Sequence, residues 1–281
     1  MLDVQPLVAV DELDRLGAVV ADVRWYLDGR SGYDAFLAGH LPGAVWVDLD
    51  TDLCARGMPA TEGRHPLPDP TAFAESLASL GISDDSVVVA YDDTGGMSAG
   101  RLVVMLRMIG RSAALLDGGL AAWLAAGRPL EVGARPPAGR GRTTPTPWPV
   151  DRLASVDEVM RASADGGSML DARPRERFTG EVTIIDPRPG HVPGARSAPW
   201  SAVLGADGRF RSPDELRAHY AALGADPTTI VSCGSGVSAC MNVLGMEVAG
   251  LPPPRLYVAS WSGWAADPDR AAALGDDGSS A

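Results

Sequence analysis

The segment richest in chemistry is Ile230-Val231-Ser232-Cys233-Gly234-Ser235-Gly236-Val237-Ser238-Ala239-Cys240. A β-branched apolar run ends at Ser232, and Cys233 follows at its carboxyl end. Gly234 and Gly236 let the backbone turn tightly, and helical residues resume near 237–239. Successive N–H groups of such a loop can converge as an anion nest, and a helix N-terminus adds partial positive charge. A cysteine held there has its thiolate favoured and is poised to act as a nucleophile. Glycines on both sides of Ser235 are poor packing material but suit an anion cradle, which argues against a cysteine that merely packs.

The rest of the composition narrows the chemistry. All 24 basic side chains are arginine. Schiff-base lysines, P-loop lysines and lysine general bases are therefore excluded. No Cys/His pair has zinc spacing, and no Gly-x-Gly-x-x-Gly stands in a nucleotide-binding context, so neither metal nor cofactor is expected. The net charge of −12 disfavours nucleic acid as a partner. There is no signal peptide at the N-terminus and no apolar run near the length of a membrane span, so no membrane partner is expected. Three cysteines, Cys54, Cys233 and Cys240, suit a reducing cytoplasm better than a disulfide framework.

The elements that position Cys233 occur twice. Gly39-His40-Leu41-Pro42-Gly43-Ala44 returns as Gly190-His191-Val192-Pro193-Gly194-Ala195. Each copy is preceded by an apolar run ending in Asp-x-Arg, at Asp22-Val23-Arg24 and Asp171-Ala172-Arg173. Each is followed by a helical stretch and a short β-branched run, 86–91 and 229–232. Asp117-Gly118-Gly119-Leu120-Ala121-Ala122-Trp123 has a looser echo around Trp261 and Trp264. A spacing of about 140–150 residues is that of a domain, not of a solenoid repeat. The pattern predicts an N-terminal domain over 1–133, an extended Pro/Gly/Arg/Thr-rich linker over 134–149 and a C-terminal domain over 150–281. Unalternating apolar runs such as 87–90 read as strands buried on both faces. A helix is predicted over 213–223, N-capped by Ser212 with Glu215 completing a capping box. The fold class is α/β, with each domain an open, mostly parallel sheet covered by helices on both faces. Ligands of such sheets sit at the carboxyl ends of the strands.

These motifs resemble the tandem-domain rhodanese family of sulfurtransferases over nearly the whole chain. The resemblance implies a catalytically silent first domain and a nucleophile in the second. Aligning Ser98-Ala99 with Ser238-Ala239 puts Asp93 where the second copy has Cys233. The Cys-Gly-Ser-Gly-Val-Ser loop looks like the 3-mercaptopyruvate branch, in which Gly234, Gly236, Val237 and Ser238 cradle the substrate. Arg177 matches the family arginine that binds the substrate carboxylate, and Arg188 the second. Ser235, His65 and Asp50 match a Ser-His-Asp relay that crosses the domain interface, with Asp48 competing for the carboxylate role.

The implied reaction moves a sulfane sulfur from a small donor through a Cys233 persulfide. The acceptor is cyanide or a thiol such as thioredoxin or a small thiol. No charge follows Cys233 in its loop, which favours mercaptopyruvate over the thiosulfate dianion. By this reading an Arg-Lys pair at 234–235 would shift the preference towards thiosulfate. Thiosulfate sulfurtransfer at the same cysteine is the alternative, with a non-catalytic sulfur carrier more remote. A cysteine phosphatase would need arginine where Ala239 stands. His40 and His191 are expected to hold loops and His219 to be solvated. Cys54, Cys240, Trp261 and Trp264 are expected to pack.

Overall fold

The computed structural model describes residues 4–134, 137, 139–276 and 279–280. Contacts divide the chain into two units. One comprises Met1–Ala55, Pro68–Trp148 and Leu204–Phe210; the other comprises Arg56–Leu67, Pro149–Val203 and Arg211–Ala281. The division is finer than a contiguous split, because the short stretch Arg56–Leu67 packs with the second unit.

Among the described residues, the first unit holds five strands: β1 Leu7–Val8, β2 Val19–Asp22, β3 Val45–Trp46, β4 Val88–Tyr91 and β5 Ala113–Leu116. They pair in the order β1-β5-β4-β2-β3, every pair parallel. Its helices are α1 Val10–Leu16, α2 Gly32–Ala38, α3 Leu49–Asp52, α4 Pro70–Ser79, α5 Ala99–Met108 and α6 Gly119–Ala125. β4 and β5 are buried along their whole length, as the unalternating apolar runs predict.

In the second unit, β6 Met169–Asp171, β7 Arg196–Ser197, β8 Ile230–Ser232 and β9 Arg255–Leu256 pair in the order β7-β6-β8-β9, again all parallel. This is the first sheet's β3-β2-β4-β5 repeated. A parallel bridge from Leu153 to Leu256 stands where β1 stands beside β5. The helices are α7 Val156–Asp165, α8 Arg175–Phe178, α9 Pro213–Ala222, α10 Ala239–Val248 and α11 Ser260–Ala265. α9 begins as predicted: Ser212 accepts from the Glu215 N–H and the Glu215 carboxylate reaches back.

The duplicated motifs do the same work in both units. Arg24 grips Asp22 and donates from Nη2 to the Gly39 carbonyl at 2.8 Å; Arg173 grips Asp171 and donates to the Gly190 carbonyl at 2.8 Å. Each Asp-x-Arg thus ties a strand end to the following Gly-His turn. His40 and His191 hold their loops through Nδ1, 2.9 Å from the Phe36 and Phe178 carbonyls, and both rings stack on those phenylalanines.

Of the expected linker, 135, 136 and 138 lie outside the described residues, while 141–148 pack on the first unit. Gly141 donates to the Ala78 carbonyl at 2.7 Å, Thr143 to the Ile82 carbonyl at 2.6 Å, and the Asp84 N–H donates to Arg142. A β-carbon on Gly141 would stand 2.0 Å from the Ile82 oxygen, so only glycine permits this approach. Trp148 anchors the end, its ring tilted against Phe73 and its Nε1 donating to the Pro68 carbonyl. Among the described residues, no helix is long and apolar enough to cross a membrane.

Candidate active site

Cys233 sits directly beyond β8, an inner strand of its sheet, with its side chain only 1% exposed. The turn brings the Gly236 N–H, with Gly236 at φ +76°, to 3.1 Å from Sγ, so a backbone donor faces the sulfur. α11 fastens the loop from outside. The Trp261 N–H donates to the Cys233 carbonyl and the Ser262 N–H to the Gly234 carbonyl, both at 2.9 Å. Ser260, fully buried, accepts from the Cys233 N–H at 3.1 Å and lies 4.0 Å from Sγ. Its φ of +53° is left-handed, the one such non-glycine among the described residues, and marks strain beside the sulfur. Val237 is buried and Ser238 half-buried as α10 begins.

Ser235 Oγ lies 2.8 Å from His65 Nδ1, and both side chains are 7% exposed. His65 belongs to the stretch Arg56–Leu67, which reaches the loop as part of the second unit. Its seat is tight. A β-carbon on Gly63 would meet the Ala259 carbonyl oxygen at 2.5 Å, and the Arg64 N–H donates to Ser262 Oγ at 3.1 Å. A buried hydroxyl–imidazole pair next to a thiol can pass a proton to a leaving group.

Arg177 is placed by α8 and is 13% exposed. It grips Asp186 with Nε at 3.0 Å and Nη2 at 2.7 Å. Its Nη2 is also 3.0 Å from the point where a β-carbon on Gly234 would stand, which puts a cation against the cysteine loop. The Nη2 of Arg64 lies at the same 3.0 Å from that point. Burial pushes the Arg64 guanidinium below its ordinary range, opposed by Asp186 and by Cys233. Arg64 escaped the sequence reading, although it directly precedes His65; its only signal was that adjacency.

The structure bears on three sequence expectations here. The loop carries no cation of its own, yet positive charge does reach it, supplied by Arg64 and Arg177. A side chain introduced at 234 would meet these two guanidiniums instead of an empty, neutral gap. Arg188 Nε is buried with no partner among the described residues. Its Nη2 donates to the Asp267 and Arg270 carbonyls, and its guanidinium lies 5.7 Å from the Trp261 ring centroid. His219 is half-buried, not solvated: burial lowers its basicity, and Nε2 has no partner among the described residues.

The remaining residues stand as follows. Asp50 lies in the first unit, in the first turn of α3, accepting from Trp25 Nε1 at 3.0 Å, while Asp48 N-caps that helix. Cys240 is buried with Sγ 3.5 Å from the Gly236 carbonyl. Cys54 is buried, and burial pushes its thiol up to about 11. Trp261 and Trp264 are packed, donating to the Arg188 and Ala271 carbonyls.

The first unit's matching loop is already filled. The Asp92 carboxylate accepts the N–H groups of Thr94, Gly96, Ser98 and Ala99 at 2.7–2.9 Å. Asp93, aligned with Cys233, accepts from the Tyr26 hydroxyl at 2.6 Å, and burial together with that carboxylate raises Tyr26 to about 12. The first unit's loop amides are thus spent on a built-in anion.

Comparisons with known proteins agree with this geometry. Residues 8–126 and 155–267 each match the rhodanese-like domain. A Pseudomonas aeruginosa protein, named a probable 3-mercaptopyruvate sulfurtransferase, is 41% identical, with 98% of each chain covered. A Mycobacterium tuberculosis relative, SseB, assigned by name only as a thiosulfate sulfurtransferase, is 39% identical over 89% of each chain. The crystal structure of the Escherichia coli 3-mercaptopyruvate sulfurtransferase SseA superposes with a TM-score of 0.80 at 32% identity, covering 92% of this chain and 99% of that one. A thiol at a strand end, twice-repeated parallel sheets and these matches lead to one conclusion: the chain belongs to the rhodanese-like family, with two rhodanese-like domains.

Proposed function

We propose that the protein is a sulfurtransferase that takes sulfur from 3-mercaptopyruvate onto Cys233. The observation that carries this is the Gly236 N–H facing Cys233 Sγ, with the Ser235–His65 pair on the same loop.

The thiolate attacks the donor sulfur. The new S–S bond forms as the donor's C–S bond breaks, and the bonding pair leaves with pyruvate as its enolate. Ser235, coupled to His65, supplies the proton that converts the enolate to pyruvate. Asp50 is assigned as the carboxylate behind His65 on the strength of the resemblance, ahead of Asp48. The substrate carboxylate is bound by Arg177, with Arg64 beside it. Arg188 is assigned as the second arginine on the strength of the resemblance, with its Nη2 also holding the Asp267 and Arg270 carbonyls. The loop amides of Gly234, Gly236, Val237 and Ser238 face the persulfide. An acceptor thiol, on a thioredoxin-like protein or a small molecule, or cyanide, then attacks the outer sulfur, and Cys233 departs as thiolate. A thiol acceptor suits a reducing cytoplasm.

Thiosulfate is the second reading, favoured by the two guanidiniums at Gly234 and by the name of the mycobacterial relative. Steady-state kinetics with each donor separate the two. A higher kcat/KM for mercaptopyruvate supports the proposal; equal or better use of thiosulfate overturns the donor assignment. Intact-mass analysis after donor treatment should show one added sulfur on Cys233.

A further inference from the structure

The second unit gathers more arginine around its cysteine loop than one small anion needs, and a single carboxylate balances it. Asp186 is 1% exposed. Arg177 binds it through two nitrogens, Arg64 Nη1 lies 3.5 Å away and Arg173 Nη1 3.6 Å away. Arg173 already has its own partner in Asp171 at 2.7 Å. Asp186 is therefore the counter-charge of Arg64 and Arg177, the two guanidiniums that stand against Gly234.

From this balance we infer that Asp186 is a specificity-determining residue, whose negative charge matches the donor site to a monoanion and disfavours a dianion. The inference rests on the sulfurtransferase reading above. Two guanidiniums and one carboxylate leave one net positive charge beside the nucleophile. The Cys233 thiolate also faces that charge, and a mercaptopyruvate carboxylate adds only one further negative charge. Thiosulfate brings two negative charges, and the second meets Asp186 unbalanced. A buried carboxylate acts on such a charge with less screening than a surface one. Asp186 also holds Arg177 flat by its two-nitrogen grip, but a purely orienting role would weaken both donors together. Selectivity between monoanion and dianion is what charge alone can change.

The test compares kcat/KM for thiosulfate with kcat/KM for mercaptopyruvate in three full-length variants. Asp186→Asn keeps the shape and removes the charge. It should raise the thiosulfate-to-mercaptopyruvate ratio by roughly three- to tenfold, mainly through a lower KM for thiosulfate. Arg64→Gln removes one positive charge and should lower the ratio by a similar factor. The double variant restores one surplus charge and should return the ratio towards wild type. Any change in Cys233 reactivity acts on both donors and cancels in the ratio. Single variants that leave the ratio unchanged, or a double variant that departs from wild type further than either single one, overturn the inference. If Asp186→Asn does not fold, Asp186→Ser removes the same charge, and an unchanged ratio in that variant overturns the inference. Failure of the sulfurtransferase reading itself looks different: wild-type protein would gain no sulfur on Cys233 from either donor.

Discussion

At the scale of single residues, the proposed mechanism divides the labour among a thiol, a hydroxyl, an imidazole and two guanidiniums. Cys233→Ser should abolish turnover with every donor, because a serine hydroxyl is a far weaker nucleophile at neutral pH. Cys54→Ser and Cys240→Ser should keep most of it, since Cys240 is turned to the Gly236 carbonyl and the Cys54 thiol stays protonated. Sulfur found on Cys54 by peptide mapping would contradict the mechanism. His65→Ala removes the partner 2.8 Å from Ser235 Oγ. If that pair protonates the leaving enolate, kcat should fall by about 10²-fold while KM for mercaptopyruvate changes little. A rise in KM with kcat intact would make His65 a binding residue instead.

At the scale of elements, the Gly-His-x-Pro-Gly-Ala turns are scaffolding, tied down by the Asp-x-Arg strand ends and by stacked histidines. This gives the fold a pH dependence. Burial, partly offset by the Phe178 carbonyl, holds His191 below its ordinary value of 6.5, and burial shifts His219 the same way. In the unfolded chain both histidines take up a proton at higher pH than in the native one. Their contribution to stability is therefore fully present above about pH 6.5 and is lost as pH falls from there towards the lower native values. Thermal melts should show Tm dropping between about pH 7.5 and about pH 5.5. In His219→Gln, whose ring makes no hydrogen bond through Nε2, the slope of Tm against pH should be shallower. An unchanged slope would remove His219 from the account.

At the scale of the whole molecule, the units are not the two halves of the chain. Arg56–Leu67 folds with the second unit and brings it both Arg64 and His65. A fragment beginning at Pro149 contains Cys233 and Ser235 but neither of those residues. It also lacks Gly63, which packs on Ala259 where α11 begins. Such a fragment should be less active than full-length His65→Ala and should melt at a lower temperature than the full chain. Both are measurable on purified fragment by donor kinetics and calorimetry. Wild-type turnover by the fragment would make Arg64 and His65 bystanders.

Much of this was legible in the sequence because it is local. A strand, two glycines and a helix in immediate succession suffice to put Cys233 at a tight turn whose Gly236 N–H faces it, and Ser212 with Glu215 suffices to start α9. The repeat was legible because both copies need the same Asp-x-Arg and Gly-His contacts within a short span of chain. The charge around the cysteine was not. Arg64 lies about 170 residues from Gly234 in the chain, and no motif near the loop announces it. Arg177 and Arg188 flank Asp186 in sequence, yet the carboxylate takes Arg177 and leaves Arg188 to backbone carbonyls. Which buried carboxylate balances which guanidinium depends on distances set by packing. Spacing along the chain could name the nucleophile; only the tertiary structure decided the charge of the site in which it works.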